Sequence, residues 1–143
     1  FFDSNHIVND SCIALPNATT FHFGILSSKM HMAWVRYTCG RLKSDFRYSN
    51  TIVYNNYPWP QKPSEQKIKN IEKTAKRVLQ IRSEYPNSSL ADLYHPLSMP
   101  PRLSNAHKEL DKAVDSSYRV LPFLNDTGRI KYSGSKRAGK YSH

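Results

Sequence analysis

The chain has 143 residues, with 21 Lys and Arg against 11 Asp and Glu for a formal charge of +10, and is 38% hydrophobic and 12% aromatic. That length suits one ordinary domain or two small ones. Five glycines and nine prolines exclude collagen-like and low-complexity classes, and nine Tyr, six Phe and two Trp argue against a wholly disordered chain.

No apolar stretch approaches the roughly 20 residues that cross a bilayer, so the sequence predicts a soluble protein with no membrane partner. Phe1 to Asp10 lack the basic start and apolar run of a signal peptide. The missing initiator Met suggests a piece of a longer chain. Cys12 and Cys39, with no Cys-x-x-Cys, predict two buried reduced thiols. Charge is unevenly spread: residues 1–60 carry five cations against three anions, 61–119 eleven against seven, and 120–143 five against one. All five cations of the first part lie between Lys29 and Arg47, beside aromatics, a pattern that suits a polyanion.

The opening segment to Leu15 alternates short apolar pieces with polar breaks and reads as strands and turns ended by Pro16-Asn17. Thr19 or Thr20 caps a helix on which Phe23, Leu26, Met30, Ala33, Trp34 and Tyr37 form one stripe, and Gly40 stops it. Arg41 to Tyr57, rich in Arg, Tyr, Thr, Ile and Val, reads as an extended segment or hairpin piece, followed by a turn fixed by Pro58 and Pro60 with the Trp59 indole docked in a groove. Ser64 caps a second helix with Ile68, Ile71, Ala75, Val78 and Leu79 on one face, ending near Tyr85 before Pro86. Many of its cations read as a solvated face. A short turn follows Ser88 or Ser89. Pro101 then opens a third helix displaying Leu103, Ala106, His107, Leu110, Ala113 and Val114, antiparallel to the second. The Gly- and Ser-rich tail lacks helical period and reads as frayed or disordered.

The expected architecture is therefore α+β: short strands around one amphipathic helix in residues 1–60, a mainly α-helical small domain over 61–119, and a basic tail over 120–143. The chain has no Gly-x-Gly-x-x-Gly, no Gly-x-x-x-x-Gly-Lys-Ser/Thr, no His-Glu-x-x-His and no Gly-x-Ser-x-Gly. Its six histidines are scattered, so no metal site is expected. Asp111 and Asp115 read as an exposed i, i+4 pair rather than a general acid and base. No catalytic activity is expected of this piece.

The informative run is Gly40-Arg41-Leu42-Lys43-Ser44-Asp45-Phe46-Arg47. In an extended strand Lys43, Asp45 and Arg47 share one face, because side chains alternate with period two. Lys or Arg pairs with guanine O6 and N7, and a carboxylate accepts from cytosine N4, so Lys43 and Asp45 fit the two halves of one G·C pair and Arg47 a neighbouring purine. The bland alternative is a Lys-Asp-Arg surface network worth little.

Six runs bear on that choice: Ile13 to Ala18, Phe21 to Leu26, Met30 to Trp34, Cys39 to Asp45, Tyr54 to Pro60 and Ser89 to Tyr94. In order and spacing they resemble the C-terminal part of MmeI-like type IIL restriction–modification proteins, over about residues 1–119. There, one polypeptide joins a nuclease region, an S-adenosylmethionine-dependent adenine-N6 methyltransferase domain, a target-recognition domain and a small helical C-terminal domain. The resemblance implies that residues 1–60 end the target-recognition domain, that Lys43, Asp45 and Arg47 read bases, and that a further reading position lies near Ser11. It departs after Arg119, at the basic tail.

The expected function is thus sequence-specific recognition of double-stranded DNA within a bacterial, cytoplasmic adenine methyltransferase. Lys29, Arg36 and Arg41 would contact phosphates. The piece itself is expected to bind no cofactor, S-adenosylmethionine belonging to the methyltransferase domain of the same chain. The rival readings are a helical scaffold that docks onto other domains without touching DNA, and a single-strand binder using exposed Tyr and Trp.

Overall fold

The computed structural model describes residues 13–42 and 45–138. They form α1 (Thr20–Leu26), α2 (Lys29–Thr38), the strands β1 (Gly40–Leu42) and β2 (Asp45–Arg47), a π-helical turn (Asn50–Tyr54), then α3 (Glu65–Ser83), α4 (Leu90–Leu93), α5 (Pro101–Tyr118) and α6 (Asp126–Ala138).

This corrects the α+β expectation, because the body is helical. β1 and β2 pair antiparallel, Gly40 opposite Arg47, Arg41 opposite Phe46 and Leu42 opposite Asp45, as a ribbon that joins no larger sheet among the described residues. Three residues a side do not make a layer. Of the opening strands expected to Leu15, residues 1–12 lie outside the described residues and 13–15 carry no strand. The physical reason is that, among the described residues, Ile25, Met30, Ala33, Trp34 and Val35 reach the core from the faces of α1 and α2 rather than from strands.

The single helix expected from Phe23 to Tyr37 is two. Ser28 is the hinge: its hydroxyl donates to the Ile25 carbonyl at 2.7 Å, closing α1, and accepts from the His31 N–H at 3.4 Å, capping α2. A buried serine that satisfies backbone groups on both sides competes with continuous helix. Met30, Ala33 and Trp34 of the stripe are buried, whereas Tyr37 is exposed. At the other end of α1, His22 Nδ1 accepts from the Thr19 N–H at 3.2 Å.

α3 and α5 follow the sequence closely. Ser64 caps α3, and Ile71, Ala75, Val78 and Ile81 are its buried face. Pro101 opens α5, which buries Leu103, Ala106, Leu110, Ala113 and Val114. Arg77 of α3 bridges to Glu109 of α5, and Glu84, just past the end of α3, to Arg102 near the start of α5, each at 2.7 Å, so the helices run antiparallel. α1 lies across both. A Cβ added at Gly24 would stand 2.7 Å from Ile71 Cγ2, 3.2 Å from Ala75 Cβ and 3.3 Å from Leu110 Cδ1, so this helix approaches as closely as it does because residue 24 has no side chain.

The core is continuous across residue 60. Ile25, Met30, Trp34 and Val53 are as completely buried as Ile71, Val78, Leu103, Leu110 and Val114. Tyr57 is buried too, accepting from the Tyr118 hydroxyl at 2.7 Å, while half-buried Trp59 stacks edge-on against Tyr57 and Tyr54. Of the tail read as frayed, residues 126–138 instead form α6, which packs on α2, and residues 139–143 lie outside the described residues. Asn125 starts it, its side chain accepting from the Gly128 N–H at 2.9 Å.

Candidate nucleic-acid interface

The ribbon alters the reading of the basic run. One continuous strand from Arg41 to Arg47 does not form, because β1 ends at Leu42 and pairs back on β2 from Asp45. Asp45 and Arg47 stand two apart on β2 and Arg41 sits mid-β1. Lys43 and Ser11 lie outside the described residues. The structure therefore brings Arg41, Asp45 and Arg47 into one ribbon. Lys29 and Arg36 lie seven residues apart on α2.

Both of those cations are held by carboxylates from distant elements. Lys29 Nζ lies 3.7 Å from Asp111 Oδ2, and Asp111 Oδ1 accepts the Lys29 backbone N–H at 2.8 Å, a second anchor for the α2 N-terminus. Arg36 Nη1 donates to Asp126 Oδ2 at 2.6 Å. A phosphate meeting either side chain competes with these partners.

Asp111 and Asp115 correct the reading of an exposed pair: both are buried. Burial pushes the Asp111 carboxyl up, and the Lys29 N–H and ammonium pull it down. Asp115 takes a two-pronged contact from the Arg129 guanidinium of α6, Nε to Oδ1 at 3.1 Å and Nη2 to Oδ2 at 2.6 Å. Asp126 accepts from Arg129 as well as Arg36, so one network links α2, α5 and α6. The sequence signal for it was present but ambiguous: two acids four apart, bordering the apolar stripe of α5, with Arg129 the only cation in the first turn of α6.

α2 also supplies His31. Its Nε2 and the Tyr48 hydroxyl lie 3.1 Å apart, and its ring meets Tyr57 edge-on at 4.6 Å. Burial lowers its pKa to about 4, so it is neutral at pH 7, and burial raises the Tyr48 phenol to about 12. His31 Nδ1 has no hydrogen-bond partner among the described residues. His22 and His31 belong to different helices. No group of three His, Cys, Asp or Glu among the described residues could hold a metal ion, and none of their helices is long and apolar enough to cross a membrane. Cys39 is half-buried at the end of α2, and Cys12 lies outside the described residues.

Comparison with known proteins adds a second line. The family "MmeI, target recognition domain" matches residues 1–61, and "MmeI, C-terminal domain" matches residues 63–135. The chain belongs to the MmeI family. The second MmeI match runs well past Arg119, so the departure expected there does not occur at that point, in keeping with the ordered α6. A solved structure of the type IIL restriction-modification enzyme MmeI in complex with DNA superposes with a TM-score of 0.83 at 45% identity, covering 90% of this chain and 17% of that one. DNA methyltransferase A of Bacillus subtilis (strain 168) is 38% identical over 125 residues, which are 87% of this chain and 14% of that protein. The chain thus spans about a sixth of the first of these proteins and about a seventh of the second. The β1–β2 ribbon and α2 fall inside the region matched by the target recognition domain, and α3 to α5, with most of α6, inside that matched by the C-terminal domain.

Proposed function

We infer that this chain is a sequence-specific reader of double-stranded DNA within a restriction–modification enzyme that methylates adenine N6. The observation that carries the reading is the paired ribbon bearing Arg41, Asp45 and Arg47 inside the segment matched by a target recognition domain. A two-stranded β-ribbon fits the major groove, where Asp45 can accept from cytosine N4, and Lys43 and Arg47 can donate to guanine O6 and N7. Ser11 is a further reading position in this proposal. Arg41, Lys29 and Arg36 contact phosphate in this proposal, the last two in competition with Asp111 and Asp126.

S-adenosylmethionine, in this reading, serves a methyltransferase domain of the same polypeptide rather than these residues.

The test is selection from a randomised duplex pool, comparing the wild type with the double exchange Lys43→Glu and Asp45→Arg. The exchange reverses donor and acceptor, so the preferred pair changes from G·C to C·G at one position. An unaltered preference refutes the assignment. A scaffold role has one observation in its favour, the exposed Val120, Leu121 and Leu124 between α5 and α6. It predicts duplex binding that is absent or insensitive to salt.

A further inference from the structure

On the side of the α3–α5 pair turned away from α1 runs an open groove of about 1010 Å³, which Lys69, Lys73, Lys76 and Arg77 of α3 and Lys112 of α5 line against Glu72 and Glu109. We propose that this groove is a second, sequence-independent contact surface for the phosphate backbone of duplex DNA. The proposal rests on the duplex-reading role inferred above, and it assigns the helical half of the chain a part in binding.

Several observations point the same way. Arg77 is spoken for by Glu109 and Lys69 by Glu65, but Lys73, Lys76 and Lys112 are exposed and have no ion-pair partner within 4 Å among the described residues. A merely solvated helix face would end at α3, whereas here Lys112 stands on the neighbouring helix, with the Thr74 and Ser116 hydroxyls in the same groove. Lys69, Lys73 and Lys76 follow i, i+4, i+7 spacing and so form one stripe, rising about 10 Å along the helix axis. One duplex strand presents a phosphate for about every 3.4 Å of its axis, so a stripe of that length spans about three of them.

The lining also selects the partner. Among the described residues it contains no aromatic ring and no aliphatic side chain larger than Ala113. Single strands are gripped by stacking on aromatic platforms, and protein partners by aromatic and aliphatic anchors in apolar pockets. Neither is on offer here. Lysines and hydroxyls around a shallow groove fit a repeating anionic backbone, which lysine meets as a point charge without reading bases.

The experiment measures binding of this chain to a random-sequence duplex of about 20 base pairs between about 50 and 200 mM salt. The triple variant Lys73→Gln, Lys76→Gln, Lys112→Gln should lose about tenfold or more in affinity at the lower salt, with the log–log salt slope shallower by about two to three, since each phosphate contact contributes about 0.9. Glu72→Lys should tighten binding and steepen the slope by about one, an opposite effect that damage to the fold would not produce. Unchanged affinity and slope in the triple variant overturn the proposal, as does displacement of the duplex by an equal charge of single strand or of polyglutamate. Because the probe has no fixed sequence, the outcome is separate from that of the Lys43 and Asp45 exchange. If the base preference shifts while the triple variant binds normally, the groove is rejected alone. If the triple variant weakens binding while preference stays fixed, the ribbon assignment is rejected and the groove stands.

Discussion

Arg129 and Asp115 meet where water is nearly excluded, each side chain about 10% exposed, and their worth depends on both being present. Removing one leaves the other charge buried and unpaired, which typically costs about 3–5 kcal/mol, whereas an apolar pair of similar volume is often neutral. Arg129→Ala or Asp115→Ala should therefore lower urea-denaturation stability by about that amount, and the double variant Asp115→Leu, Arg129→Met should restore most of it. His31 makes a pH-dependent contribution of definite sign. Its folded pKa of about 4 lies below the ordinary 6.5, so the folded state resists protonation. The stabilisation is complete above about pH 6.5 and is lost as pH falls toward 4, to a total of about 3 kcal/mol. Denaturant titrations between pH 7 and 4 should show that slope in the wild type and a flatter one in His31→Gln. Parallel slopes would reject the assignment.

Among the elements, α1 is placed by an absence of atoms. Alanine is worth up to about 1 kcal/mol more than glycine inside a helix, but a methyl 2.7 Å from Ile71 Cγ2 forces a buried side chain or the helix itself to move, at about 1–3 kcal/mol. Gly24→Ala should come out destabilising by about 1 kcal/mol, and Gly24→Ala with Ile71→Val should recover part of the loss in thermal melts. How far each helix could be read from sequence follows from what buries it. α3 and α5 turn aliphatic faces to each other, so period 3.6 revealed them together with their caps. The α1–α2 break was hidden because the apolar stripe continues through Ser27-Ser28, and only the serine pair inside the periodic run hinted at a hinge. α6 was missed because Arg129 and Ser133 lie on its buried face, held by Asp115 and by the Met30 sulfur at 3.7 Å, and a hydrophobic pattern cannot register such partners. The same limit applied to Asp111 and Asp115, whose burial is decided by residues 82 and 14 positions away.

For the molecule as a whole, the strands expected of a recognition domain are, among the described residues, one ribbon, and the buried apolar residues of α1 and α2 pack instead against α3, α5 and α6. The run proposed to read bases was legible as a cluster of complementary donors and acceptors, but its register was not, since pairing Gly40 with Arg47 is a choice between two strands that alternation along one strand does not encode. Gly24, finally, constrains how such proteins may be recombined. A chimera joined at residues 61–63 would mate one parent's α1 with another's Ile71, Ala75 and Leu110, at a seam with no room for a methyl group. Transplanting the reading half between relatives therefore means moving that seam as a matched set, whichever bases the donor prefers.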